Sequence, residues 1–166
     1  RDIKAQRELE KYNIKSHFHL DLSYNMKVSF PESKRDGLVI GTFSMEYDKR
    51  SSSASSASIF TDHWEDLVTR LSAANYFITS RYHEMYAACL ARCPFYVYQG
   101  NSWKNEGLLE TAGVNIPCGK EDDKVLNFMK GDTHSTIFYK EVQEIEDNLQ
   151  EYDKLFNWME DQKPFS

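Results

Sequence analysis

The hydrophobic positions in the middle of the chain predict two short β-strands joined by a helix. Residues 76–78 are aromatic or β-branched and have polar neighbours on both sides, which is typical of a short buried strand. From Tyr82 onward the apolar positions recur with a helical period, which Pro94 ends. Residues 95–98 form a second apolar strand. Two strands joined by a helix form a parallel pair.

The same alternation continues on both sides of this unit. Ser102 is placed to cap a helix over residues 103–111, which Gly113 closes. Three further elements are predicted: a strand over residues 38–42, in a segment (37–43) with the character of a central strand, a helix over 62–73 and a strand over 114–116. We therefore expect an α/β fold with a Rossmann-like, mostly parallel sheet flanked by helices.

The last third of the chain is predicted to be helical. A short helix over residues 121–129 precedes a long one over residues 135–161. The apolar positions of the long helix are spaced 4-3-4-3-4-3, and they are Phe138, Val142, Ile145, Leu149, Tyr152, Phe156 and Met159. This seam favours packing on a neighbouring surface, and a coiled-coil homo-oligomer is the alternative. We expect residues 1–130 to form the Rossmann-like domain and residues 131–166 a helical extension.

Composition narrows the class of protein. The 166 residues carry a formal charge of −6 with scattered basic residues, which does not favour a nucleic-acid partner. No apolar run approaches the roughly 20 residues that span a bilayer. The three cysteines lack the spacing of a metal site, so buried thiols in a reducing, cytoplasmic compartment are expected. Because the first residue is Arg1, we expect the natural chain to begin upstream.

Two segments invite a functional interpretation that their surroundings do not favour. His17 and His19 share one face of a predicted strand over residues 14–22, but no third ligand accompanies them, so no metal site is predicted. The serine-rich residues 51–58 are expected to form a mobile loop, either a lid or, more commonly, a simple connection.

Polar side chains follow both strands of the central unit. Those after the first strand are Ser80, Arg81 and His83, and those after the second are Asn101, Ser102 and Lys104. Carboxyl ends of parallel strands meet at one edge of a sheet, where helix N-termini also favour anions. Two cations at neighbouring strand ends suit a phosphate or carboxylate, and His83 can exchange protons near neutral pH.

An ordinary alternative is that the cations form surface ion pairs. Glu84, Glu106 and Glu110 are close in sequence to Arg81 and Lys104 and are suitable partners. Spacing alone leaves the anion site and the surface pairs equally open.

The segment also resembles a known family. Ser80-Arg81-Tyr82-His83 and Gly100-Asn101-Ser102-Trp103-Lys104 resemble two motifs in the C-terminal half of polysaccharide pyruvyl transferases, S-R-x-H and S/G-N-x-x-K. Arg1-Asp2 and Asp21 resemble the start of that family's second domain, although Ala5 replaces the usual hydroxyl residue. Together the resemblance covers most of residues 1–130.

The resemblance implies one half of a GT-B-type fold and a transferase activity. Such enzymes move a pyruvyl group from phosphoenolpyruvate to a sugar of a cell-surface polysaccharide and form a ketal. The resemblance assigns the catalytic role to His83. It assigns donor binding to Ser80, Arg81, Asn101, Ser102 and Lys104. The donor is a substrate, and no metal or cofactor is implied. A glycan acceptor and a further N-terminal domain are the implied partners.

Two other functions remain open. The same architecture binds nucleotide-sugars in glycosyltransferases, although Glu106 and Glu110 are the only acidic residues placed near a ribose. A non-catalytic domain that binds a partner through its long C-terminal helix is the third interpretation.

Overall fold

The computed structural model describes residues 3–16, 24, 35–43, 64–100, 102–129 and 137–162. The helices in these ranges are α1 (Ile3–Glu10), α2 (Trp64–Ser72), α3 (Tyr82–Leu90), α4 (Lys104–Ala112), α5 (Asp123–Met129), α6 (Tyr139–Asp147) and α7 (Leu149–Asp161). The strands are β1 (Leu38–Ile40), β2 (Tyr76–Thr79), β3 (Phe95–Tyr98) and β4 (Cys118–Gly119). The predictions for His17, His19, Asn101 and residues 51–58 lie outside the described residues.

The four described strands form one parallel sheet in the order β1-β2-β3-β4. Val39 aligns with Phe77 in the first pair, and Phe77 aligns with Phe95 in the second. The predicted strands over residues 76–78 and 95–98 and the α/β fold with a parallel sheet are therefore confirmed. Among the described strands, β1 lies at an end of the sheet rather than at its centre, which differs from the central position that its sequence suggested.

The predicted strand over residues 114–116 is wrong. These residues have no regular structure, and the last described strand is instead Cys118–Gly119, beyond Pro117. Cys118 aligns with Val97 and Gly119 with Tyr98 at the carboxyl end of β3. Pairing with β3 selects these residues, although neither has the strand propensity of Val114 or Ile116.

Side chains of the strands alternate between two helical layers. Thr79 hydrogen-bonds to Glu84 of α3, whereas Tyr76 and Tyr98 hydrogen-bond to Glu146 and Glu141 of α6. Because successive side chains of a strand point to opposite faces, α3 and α6 cover opposite faces of the sheet. The sheet is thus enclosed on both sides, as the apolar sequences of β2 and β3 require.

The single long helix predicted over residues 135–161 is also wrong, because it is interrupted at Asn148. The Asn148 amide Nδ2 donates to the carbonyl of Glu144, and its backbone N–H bonds to Ile145 rather than continuing the i−4 ladder. Leu149, predicted to lie in the apolar seam, is consequently 45% exposed. Leu155, outside the predicted seam, is fully buried.

The rest of the seam is largely buried within the chain itself. The seam residues that are buried are Phe138, Ile145, Tyr152, Phe156 and Met159. Tyr152 donates its hydroxyl proton to the carbonyl of Phe95, at the start of β3, and so ties α7 to the sheet. Packing on a neighbouring surface is therefore the use that the structure shows for most of the seam. No helix in the described part of the chain has the length and apolar character needed to cross a membrane.

Candidate functional site at the carboxyl edge of the sheet

Three of the predicted site residues follow β2 and begin α3. Ser80 is 2% exposed, so its side chain is part of the interior rather than of a surface. Arg81 is partly exposed and occupies the N-cap position, where its backbone N–H donates to Thr79 Oγ1 at 3.0 Å. His83 is exposed in the first turn of the helix.

The predicted residues after β3 lead into α4. Lys104 is partly exposed and is the first residue of this helix, one βα unit after Arg81. Ser102 is partly exposed, but the N-cap position belongs to Trp103, which forms no side-chain capping bond. The predicted capping role of Ser102 is therefore wrong by one residue, because the helix begins later than its pattern suggested.

A buried asparagine joins the two strand ends. Asn105 Nδ2 donates to the carbonyl of Ser80 at 3.0 Å and to that of Tyr98 at 2.9 Å. The Cβ of any larger residue at Gly100 would lie 3.0 Å from the same Ser80 carbonyl, so the two connections run close together. The sequence interpretation did not select Asn105, although it falls within the resembling segment. Its position fixes the spacing between the loop before α3 and the loop before α4.

A buried carboxylate organises the neighbouring strand ends. Glu84, 9% exposed, accepts hydrogen bonds from the Thr42 backbone N–H at 3.0 Å, the Thr42 hydroxyl at 2.6 Å and the Thr79 hydroxyl at 2.5 Å. These three hydrogen bonds tie the start of α3 to the residues that follow β1 and to the end of β2.

The structure also bears on the alternative that Arg81 and Lys104 form surface ion pairs with nearby glutamates. Glu84 is buried among threonines rather than available at the surface, so that assignment is wrong. Glu110 pairs with Arg7 of α1 at 2.7 Å. Glu84 and Glu110 therefore have structural partners, whereas the buried Oε2 of Glu106 has no hydrogen-bond partner among the described residues.

A second buried polar cluster lies at the end of β3. Glu141 of α6, 3% exposed, accepts a hydrogen bond from the Tyr98 hydroxyl at 2.6 Å and forms an ion pair with Lys124 of α5. Burial, followed by this hydrogen bond, raises the pKa of Tyr98 far above its ordinary value. Rings of Phe43 and Phe138 stack beside the cluster with centroids 6.2 Å apart. The cluster anchors α5 and α6 to the carboxyl edge of the sheet.

The cysteines are thiols held in the interior or near it. Cys89 and Cys93 are buried, Cys118 is partly exposed, and none forms a disulfide. Desolvation raises the pKa of Cys93 to about 12 and that of Cys118 to about 12, which makes both poor nucleophiles near neutral pH. In the part of the chain that the structure describes, no three His, Cys, Asp or Glu residues are grouped as a metal would require.

At this edge of the sheet, partly or fully exposed polar side chains lie next to buried hydrogen bonds. Arg81, the N-cap of α3, and Lys104, the first residue of α4, lie at the same edge of a parallel sheet, and His83 lies in the first turn of α3. The described strands follow one another in a single direction, so they contain no reversal of strand order of the kind that forms a crevice in doubly wound sheets. The helix starts that follow β2 and β3 carry two cations, Arg81 and Lys104, and one imidazole, His83.

No protein-family model, curated protein or solved structure matches the chain.

Proposed function

We propose that this chain is the donor-binding half of a pyruvyl transferase that acts on a polysaccharide. The observation that carries the proposal is that Arg81 and Lys104 begin the helices after two neighbouring parallel strands. Asn105, which directly follows Lys104, donates hydrogen bonds to the carbonyl of Ser80 in the S-R-x-H-like segment and to that of Tyr98 at the end of β3. This geometry supports a shared site for one ligand that carries a phosphate and a carboxylate.

Phosphoenolpyruvate fits the charges of this edge. In the proposed reaction His83 donates a proton to the methylene carbon of the enol, which makes the adjacent carbon electrophilic. Two hydroxyls of the acceptor sugar add to that carbon, the carbon–oxygen bond to phosphate breaks, and a ketal remains. One hydroxyl proton returns to His83, and the other leaves with the inorganic phosphate. Arg81 and Lys104 hold the phosphate and carboxylate and stabilise the charge that develops on the leaving phosphate. Exposure of His83 is compatible with proton exchange.

The proposal extends to the parts that the reaction needs. A glycan acceptor and a further N-terminal domain would complete the site in a cytoplasmic enzyme with a GT-B-like architecture. The seam of the C-terminal helices is mostly occupied within this chain, so a homo-oligomer would have to use other contacts, such as exposed Leu149.

Calorimetric titration of the chain tests the donor assignment. Phosphoenolpyruvate is expected to bind, and Arg81→Gln and Lys104→Gln should each weaken binding by roughly 1.5–3 kcal/mol, the contribution of a hydrogen bond to a charged group. Lys154→Gln is the matched control because Lys154 lies on α7 and pairs with Glu151. Equal weakening by the control would show that net charge, rather than a site, holds the ligand.

A second titration separates donor classes. Uridine diphosphate glucose should not bind competitively if phosphoenolpyruvate is the donor, whereas tight binding of this nucleotide-sugar alone would favour a glycosyltransferase. His83→Ala should leave phosphoenolpyruvate affinity nearly unchanged. In the enzyme assembled with its acceptor domain, the same variant should lower turnover by roughly 10²–10⁴-fold, as expected for loss of a general acid.

A further inference from the structure

Trp103 is the largest exposed apolar side chain in the described part of the chain. Its side chain is 54% exposed, and it directly precedes Lys104 at the carboxyl edge of the sheet. Asn105 on the other side of Lys104 is 2% exposed and holds the two strand ends together. The Trp103 indole therefore lies in solvent beside the proposed donor site, and the hydrogen bonds of Asn105 hold the backbone next to it in place.

Folding does not account for tryptophan at this position. Trp103 is the N-cap of α4, where Ser, Thr, Asp and Asn are preferred because their side-chain oxygen accepts a helix N–H. The indole has a single N–H donor and no acceptor, and Trp103 forms no capping bond. Its ring also has no aromatic partner among the described residues. Helix capping favours a small polar residue here, and the hydrophobic effect favours burial of the indole.

The chemistry of an exposed indole identifies the kind of ligand. Its large flat face packs against the apolar face of another ring and loses little conformational freedom in doing so. In the proposed reaction the group that must approach the donor is a sugar, whose ring carries C–H bonds on one face. We propose that Trp103 is the platform on which the acceptor sugar stacks, next to the donor held by Lys104. This inference rests on the proposed function.

The indole N–H resonances in an NMR spectrum of the ¹⁵N-labelled chain test the platform. The chain has three tryptophans, and the spectrum of Trp103→Phe identifies the Trp103 signal. Titration with methyl β-D-galactopyranoside and methyl β-D-glucopyranoside should shift this signal saturably and leave those of Trp64 and Trp158 in place. Trp103→Ser should weaken sugar binding by roughly two- to tenfold, while Trp103→Phe keeps most of it. An unchanged backbone amide spectrum shows that the variants are folded.

The outcomes separate the platform from the donor site. Phosphoenolpyruvate is titrated in parallel and read at the backbone amides of Arg81 and Lys104. A sugar-induced shift at Trp103 without phosphoenolpyruvate binding supports the platform and overturns the donor site. Phosphoenolpyruvate binding without any sugar-induced shift overturns the platform alone. Equal sugar affinity in Trp103→Ser, or a shift caused by uridine monophosphate but by neither sugar, also overturns it.

Discussion

The hydroxyl of Thr42 donates a 2.6 Å hydrogen bond to the carboxylate of Glu84, across 42 positions of sequence. Thr42 follows the end of β1, and Glu84 lies in the first turn of α3. The same carboxylate accepts from Thr79 at the end of β2. One side chain therefore holds two strand ends and a helix start in a fixed relation. Partly exposed Arg81 and exposed His83 lie directly beside these hydrogen bonds, so the bonds determine where the two side chains can reach.

Neutralising this carboxylate should destabilise the fold. In Glu84→Gln the amide NH₂ replaces one acceptor oxygen and faces the Thr42 and Thr79 donors, so at least one buried donor loses its partner. The expected loss in the free energy of unfolding is about 1–3 kcal/mol. Glu65→Gln, on the exposed start of α2, is the control and should change it by less than about 0.5 kcal/mol. Urea unfolding measures both, and equal effects would contradict the network.

The interruption at Asn148 leads to a prediction for two leucines. Leu155 is fully buried, and Leu155→Ala should lower the free energy of unfolding by about 2–5 kcal/mol. Leu149 is 45% exposed, and Leu149→Ala should lower it by less than about 1 kcal/mol. Thermal and urea unfolding of the two variants make the comparison. A larger effect at Leu149 would instead support the uninterrupted helix that the heptad spacing predicts.

The buried thiols should make the fold sensitive to high pH. Burial raises the pKa of Cys93 to about 12 and raises that of Cys89 as well, whereas an unfolded thiol titrates near 9. Above pH 9 the unfolded chain loses protons that the folded chain keeps, so deprotonation favours unfolding. Each such thiol removes up to about 1.4 kcal/mol per pH unit over this window. Urea unfolding between pH 7 and 10.5 should show stability falling from about pH 9, not from pH 7.

A thiol-reactive dye provides an independent reading of the same burial. At pH 8 the folded chain should react much more slowly at Cys89 and Cys93 than the urea-unfolded chain. Partly exposed Cys118 should react first, so Cys118→Ser serves to isolate the two buried thiols. Rapid reaction of the folded Cys118→Ser variant would show that the thiols are not buried.

Local sequence was sufficient for the centre of the sheet and insufficient at its borders. Strands β2 and β3 were predictable because each is a short run of large apolar side chains buried on both faces. The break at Asn148 could not be predicted, because a heptad pattern shows only which side of a helix is apolar. It does not show that the Asn148 amide binds a backbone carbonyl. Strand β4 depends on pairing with β3 rather than on its own two residues.

Some residues of the candidate site could be predicted from the sequence, and others could not. Arg81, His83 and Lys104 could be selected because polar residues after a strand are visible in the sequence. The burial of Glu84 and Asn105 could not be predicted, because a charged or amide side chain in the first turn of a helix is usually exposed. Their burial follows from contacts with Thr42 and with Ser80, which only the folded chain brings near.

Two tyrosines that bind glutamates of α6 form a matched pair for the last prediction. Tyr98 donates to Glu141 at 2.6 Å in the interior, and Tyr76 donates to Glu146 at 2.8 Å at the surface. Tyr98→Phe removes a donor from a buried carboxylate whose second oxygen already has no hydrogen-bond partner among the described residues. The free energy of unfolding should therefore fall by about 1.5–3 kcal/mol.

Tyr76→Phe should change the free energy of unfolding by less than about 0.5 kcal/mol, since water replaces the lost partner of Glu146. Both variants keep the ring and remove one hydroxyl, so packing losses cancel in the comparison. Urea unfolding at pH 7 measures the difference. If the two variants lose equal stability, the contribution of Tyr98 comes from its ring alone, and Glu141 is held in place by Lys124 without it.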